Sequence, residues 1–345
     1  MSGGFPREIS RTPRRVVAIG GGTGLPGVLR GLRELVGAKD PSDLTAIVTM
    51  SDDGGSSGRL RRNRGLPPPG DVRNCLVALS AEEDLLAGLF QHRYDGGQEL
   101  NGHNLGNLIL AALAEQTGSF LKAVEVSSRV LRTVGRILPV TLDDARLEAT
   151  TESGLVVRGE SAINDCVEAI REVRLSPPDA SPAPGVVDAI RDADLIALGP
   201  GSLYTSLLPN LVLPSVAKAL RETQAVRVLV GNLVTERGEA PELGLDGHLR
   251  VIREHAGDVV DALLIHEGEV PNDIVHRYSE EGARPLAEPN AEEFGVHVLS
   301  RKLAADGPKL RHESLATAEG LLAAWQSVNT ARLMGTTKAA AGDPL

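Results

Sequence analysis

The sequence predicts an α/β protein built on a mainly parallel sheet with a small antiparallel hairpin insertion. Two observations carry that prediction: short, nearly continuous β-branched runs recur along the chain, and most of them end in glycine before a helical period begins. Runs that are apolar at every position suit strands covered on both faces, as the strands of a parallel sheet are. In chain order, Val16-Val17-Ala18-Ile19 reads as the first strand, and the period Val28-Leu29-Leu32-Leu35 as the helix after its glycines. Ala46-Ile47-Val48 is a second strand, and Leu105-Leu108-Ile109-Leu110-Leu113 a helix with asparagine near its start. Ala145 to Arg158 alternates on either side of Glu152-Ser153-Gly154, which predicts a hairpin inside an insertion spanning about residues 137–160. Pro177, Pro178, Pro182 and Pro184 mark the loop where the first half of the fold hands over to the second. Leu195 to Leu198, Val226 to Val230 and Val259 to Ile265 supply the later strands. One domain is expected over residues 13–332, between disordered ends at residues 1–12 and 333–345.

Composition removes several classes of function. The 345 residues carry 36 Lys+Arg against 46 Asp+Glu, a formal charge of −10, which argues against a nucleic-acid-binding surface. Aromatic residues are only 2%, too few for base-stacking platforms. No apolar run approaches the roughly 20 residues of a membrane span, and no signal-peptide stretch opens the chain, so a cytoplasmic protein is expected. The two cysteines, Cys75 and Cys166, lie far apart with no Cys-x-x-Cys pair, which leaves neither a zinc site nor a disulfide framework to propose.

Chemistry concentrates where strands end. Gly20-Gly21-Gly22-Thr23-Gly24 follows the first strand and opens a helix, a context in which glycines let backbone amides approach a phosphate. Gly22-x-Gly24-x-x-Gly27 matches a dinucleotide fingerprint, with a purely structural tight turn as the alternative, and no Gly-Lys-Ser/Thr follows to make a P-loop. After the second strand come Ser51 to Arg62 and then Pro67 to Asn74, with five Arg against three Asp between residues 51 and 75. Guanidinium forks bond two oxygens of a diphosphate at once, and Asp52, Asp53 and Asp71 have the carboxylates to hold one hard cation such as Mg²⁺. A solvated basic turn with aspartates capping helices is the competing reading. His103, in Asn101 to Leu108, is either a helix-terminal histidine or a ligand contact. Leu198 to Ser206 repeats the strand-to-loop pattern with hydroxyls, and Asn232 after the Val226 run can read a base or sugar or cap a helix.

The ordered set Gly20 to Leu25, Asp52 to Arg61, Pro68 to Asn74, Gly102 to Asn107 and Gly199 to Ser206 resembles the gluconeogenesis factor (YvcK-like) family, related to 2-phospho-L-lactate transferase, over about residues 14 to 325. The resemblance implies a Rossmann-like three-layer α/β/α fold. It implies a cytoplasmic regulator required for cell shape and cell-wall morphogenesis under gluconeogenic growth, binding UDP-N-acetylglucosamine and read by an unidentified cell-wall or morphogenesis protein. A homo-oligomer is expected, with neither nucleic acid nor membrane insertion. Tyr278 and Arg311 match the family's late aromatic and arginine; a Tyr ring packs on a uracil or sugar face, and an Arg pairs a diphosphate.

The expected ligand contacts are Gly21, Gly22, Thr23 and Gly24 in the first loop, and Asp52, Asp53, Ser56, Ser57 and Arg59 in the second. Arg73 and Asn74, His103 and Asn107, Gly201 and Ser202, Asn232, Tyr278 and Arg311 complete the set. The transferase branch uses a nucleotide-diphospho donor and a metal held by aspartates, often in a Pro-Asp-x-Asp stretch. Here that stretch is Pro69-Gly70-Asp71-Val72-Arg73, so an arginine replaces the second carboxylate. A cation beside Mg²⁺ weakens its coordination, which points to ligand sensing rather than transfer and leaves no catalytic residue to assign.

Overall fold

The computed structural model describes residues 12–36, 40–81, 85–97, 99–235, 243–268, 270, 272–280, 283–286, 289, 291–307 and 310–340. The strands in chain order are β1 (Val16–Gly20), β2 (Leu44–Val48), β3 (Arg136–Pro139), β4 (Arg146–Thr151), β5 (Val156–Arg158), β6 (Ile170–Ser176), β7 (Leu195–Leu198), β8 (Val226–Val230), β9 (Ala262–His266) and β10 (His297–Arg301). Seven of them form one sheet in the order β10-β9-β8-β7-β1-β2-β3, and every pairing in it is parallel. Helices flank this sheet. Gly24–Val36 packs on Gly70–Leu79 and on the long Ser314–Ala340, while Val186–Asp192, Pro214–Glu222 and Leu245–Ala256 form a second group. The expected three-layer α/β/α arrangement is therefore present.

The central strands are buried at every position, β1, β2 and β7 alike, which is why they read as unbroken apolar runs. The helix Leu105–Thr117 is capped at both ends. Asn104 Oδ1 accepts from the Asn107 amide at the start of Leu105–Thr117, and Gly118 closes that helix in the left-handed conformation. The chain's one Trp anchors the C-terminal helix, its indole N–H donating to the Asp194 carbonyl at 3.1 Å.

Three boundaries differ from the sequence expectation. The hairpin at residues 146–158 is two-thirds of a three-stranded antiparallel sheet, β5-β4-β6, because Ile170, Val173 and Leu175 turn inward along β6 while charged residues point out. Residues 137–139, expected inside that insertion, instead complete the main sheet as β3, so the insertion runs from β4 through β6. Residues 333–340, expected in a disordered tail, continue the last helix as far as Ala340. Residues 1–11 and 341–345 lie outside the described residues.

Candidate functional site

Strand order reverses between β1 and β7: β2 and β3 run outward on one side of β1, and β7 to β10 on the other. A crevice opens beyond the carboxyl ends of parallel strands at such a switch point, and both hydroxyl- and glycine-rich loops end there. Gly22 takes φ +61°, and its N–H donates to Asp71 Oδ2 at 2.8 Å. The place a Cβ would take on Gly24 is filled by the Pro200 carbonyl oxygen, so the loops after β1 and β7 touch backbone to backbone. Asn232 pins the β7 loop from the far side, donating to the Gly201 carbonyl and accepting from the Gly201 amide, both at 3.2 Å. His312 Nε2 lies 3.0 Å from the Gly231 carbonyl and ties the late chain to the end of β8.

Two cavities meet at Thr23, Gly24 and Gly201. One, about 320 Å³, is walled by Arg30, Asn74, Gln91, Arg311 and His312. Neither Arg30 nor Arg311 has a carboxylate partner among the described residues, and the Arg30 guanidinium is held below its usual range by burial, then by Arg33 and Arg311. Uncompensated guanidinium groups facing each other across a cavity favour an anionic ligand. Burial lowers His312 to about 4, so its ring is neutral and donates from Nε2 to Gly231.

The second cavity, about 480 Å³, is walled by Glu160, Asn164, Ser202, Thr205 and Ser206 and, among the described residues, by no cation. Burial raises Glu160 to about 8, with Asp52, Asp71 and Asp53 adding repulsion. Burial also raises Asp71 to about 6; the Gly22 amide opposes that shift, and Asp52 adds to it. The crevice is thus cationic at one end and crowded with carboxyl groups at the other.

Of the residues the sequence singled out, Thr23, Gly24, Asn74, Gly201, Asn232 and Arg311 line the first cavity, and Gly22 and Ser202 the second. Gly21 sits below them, against Thr49 and Asp71. Arg73, expected as a diphosphate fork, is only 9% exposed. Its guanidinium donates to Asn74 Oδ1 at 2.7 Å and reaches the Phe90 carbonyl at 3.5 Å, so it orients Asn74 from behind. Ser56 and Ser57 are buried; Ser56 Oγ lies 3.1 Å from His103 Nδ1, and Asn107 Nδ2 lies 3.5 Å from Ser57 Oγ. Arg59 donates to the Asn101 carbonyl at 2.8 Å. These five side chains knit the helix Gly55–Arg64 to the helix Leu105–Thr117 and the loop before it, and line neither cavity. Tyr278 lines neither cavity; its hydroxyl accepts from the Leu310 amide. Sequence reasoning missed Arg30, Glu160, Asn164 and His312, which stand in no recognisable motif and meet only through the fold.

The carboxylates expected to hold a cation are distributed differently. Asp53 Oδ1 accepts from both the Ser161 amide (3.0 Å) and hydroxyl (2.7 Å) and so caps the short helix Glu160–Asn164 from outside. Asp52 Oδ1 accepts from the Gly54 amide at 3.0 Å. Among the described residues no three His, Cys, Asp or Glu side chains group as a metal site, so Asp52, Asp53 and Asp71 do not fit a three-carboxylate cage.

A family profile described as 2-phospho-L-lactate transferase CofD matches residues 16–304. A gluconeogenesis factor of Halalkalibacterium halodurans is 42% identical over 313 residues, 90% of this chain and 96% of the relative. One of Bacillus subtilis is 45% identical over 273 residues, 79% and 84% of the respective chains. An X-ray crystal structure of a Bacillus halodurans protein superposes with a TM-score of 0.85 at 41% identity, covering 90% of this chain and 99% of the other.

Proposed function

The chain belongs to the 2-phospho-L-lactate transferase CofD family and to its gluconeogenesis factors, and from that premise we propose that it is a cytoplasmic regulator that binds a nucleotide sugar, UDP-N-acetylglucosamine. In this reading occupancy of the crevice is read by a cell-wall or morphogenesis protein, so that cell shape is maintained under gluconeogenic growth. The observation that carries it is the pair of cavities joined at Thr23, Gly24 and Gly201: arginines without carboxylate partners among the described residues stand on one side, and hydroxyl and amide groups beside the Glu160 carboxyl on the other. A nucleoside diphosphate with an attached sugar has that same division of charge. Arg30 and Arg311 bond the diphosphate oxygens, and the glycine amides approach it from below.

The test is thermal unfolding with UDP-N-acetylglucosamine, with and without Mg²⁺. A ligand at about 100 times its dissociation constant adds about 2.7 kcal/mol, an easily read shift. A rise in midpoint without metal, lost in Arg311→Ala, supports the regulator. No shift at millimolar ligand rejects it.

A second reading is a metal-dependent transferase like the enzyme that gives the family its description, favoured by the acids Asp52 and Asp71 beside the glycine loop. Magnesium commonly takes one or two protein carboxylates together with phosphate oxygens, so it requires no cage of protein ligands. This reading requires GDP or another diphosphate donor to bind only with Mg²⁺, and turnover to vanish in Asp71→Asn.

A further inference from the structure

The wall of the second cavity comes from two sources. The insertion supplies Glu160 and Asn164 on the helix between β5 and β6, and the π-helical turn Leu203–Leu207 after β7 supplies Thr205 and Ser206. Both are fixed. Asp53 holds the start of the insertion helix through Ser161, and Thr205 Oγ1 donates to Asn164 Oδ1 at 3.1 Å at its end. The π turn is anchored in its own right: Ser51 Oγ donates to the Thr205 carbonyl at 2.9 Å, and Tyr204 Oη donates to the Ile170 carbonyl at 3.2 Å. The Thr205 bond leaves the Asn164 amide nitrogen without a protein partner among the described residues, on a side chain that lines the cavity.

The groups present define what the cavity takes. Among the described residues no arginine, lysine or aromatic ring lines it, so it offers a phosphate no countercharge and a base no stacking face. The neighbouring carboxyls of Asp52 and Asp71 repel an anion. Hydroxyl and amide groups on opposite walls suit an uncharged ligand that hydrogen-bonds on several sides.

We infer that this cavity is the subsite for the sugar of the bound nucleotide sugar, and that Asn164, aimed by Thr205, distinguishes the sugar-bearing ligand from the bare diphosphate. The inference rests on the nucleotide-sugar reading and adds the residues that make the sugar count. The Asn164 amide donates to a carbonyl or hydroxyl oxygen of the sugar, and Thr205 acts through Asn164 as a positioning residue.

Calorimetric titration of the full chain with UDP and with UDP-N-acetylglucosamine tests this. Wild type binds the sugar nucleotide at least about tenfold more tightly than UDP, and Asn164→Ala removes that preference while leaving UDP affinity unchanged, as losing one well-made hydrogen bond requires. Thr205→Val weakens the sugar nucleotide alone, by about threefold or more. Asn164 is exposed, so its truncation leaves the core intact. If Asn164→Ala weakens UDP and the sugar nucleotide equally, or changes neither, the assignment is overturned while the nucleotide reading stands. If wild type binds neither compound, both fall.

Discussion

The phenolic oxygen of Tyr278 accepts a hydrogen bond from the backbone N–H of Leu310 at 3.1 Å. Tyr278 stands on the helix Asn272–Glu280, and Leu310 immediately precedes Arg311, which lines the arginine-bearing end of the crevice. The tyrosine therefore holds the segment that delivers the arginine. Tyr278→Phe, which keeps the ring and loses the hydroxyl, is expected to weaken nucleotide binding by about three- to tenfold, nearly as much as Tyr278→Ala. A ring that packed on the ligand would leave the Phe variant at wild-type affinity in the same titration.

Glu160 gives a pH dependence with a definite sign. Its carboxyl is raised from 4.5 to about 8, so the folded state holds a proton that the unfolded chain releases. Its contribution to stability is fully present below about pH 4.5 and is lost as pH rises through about 8. His312, lowered to about 4, slopes the other way at acid pH, so the comparison is made against a variant rather than on the bare curve. Glu160→Gln is expected to melt higher than wild type by about 2–4 °C at pH 8 and to lose that advantage towards pH 5. Equal midpoints across this range would show that Glu160 is not strained by its neighbours.

Gly24 admits no side chain. Gly24→Ala drives a methyl into the Pro200 carbonyl and forces the β1 and β7 loops apart. The expected cost is about 1–3 kcal/mol in chemical denaturation, together with loss of ligand-induced stabilisation. Gly88, where nothing lies within 4 Å of a built Cβ and which lines neither cavity, is the matched control, and Gly88→Ala is expected to bind normally.

Asp53 is expected to behave as a cap and not as a ligand. Asp53→Ala removes the acceptor of both the Ser161 amide and hydroxyl, costing about 1 kcal/mol. Hydrogen exchange across residues 160–164 accelerates while Asn107 and its helix keep their protection. A variant that lost nucleotide binding with unchanged exchange at residues 160–164 would return Asp53 to the ligand set.

The sequence carried the strands that fill the middle of the sheet, because residues buried on both faces must be apolar at every position. β3 and β10 escaped notice because they are edge strands: one ends in Pro139, and the other has no fully buried position. β9 begins at Ala262 rather than Val259, since buried Val259 and half-buried Val260 belong to the approach rather than to the ladder. At the site, glycines and hydroxyls at strand ends were legible because backbone geometry demands those residue types locally. Arg30 and Glu160 were not. Arg30 is one charged position of an amphipathic helix, and Glu160 follows a hairpin; only the reversal of strand order brings them to the two ends of one crevice. Arg73 shows the converse error, a correct residue type at the correct place whose side chain points inward to Asn74.

The meeting of Gly24 with Pro200 also bears on when the crevice comes into being. A chain emerging from the ribosome completes β1, β2 and β3 long before β7 exists, and at that stage the glycine loop has no opposite wall. Only when β7 slides in beside β1 does Pro200 reach Gly24, and only after β8 does Asn232 fasten Gly201. Arg311 arrives later still. Contacts so distant along the polypeptide are among the last to form. On the proposed reading, a nucleotide sugar in the crevice would certify that the molecule is fully assembled, and a partner reading that occupancy would never engage an unfinished one.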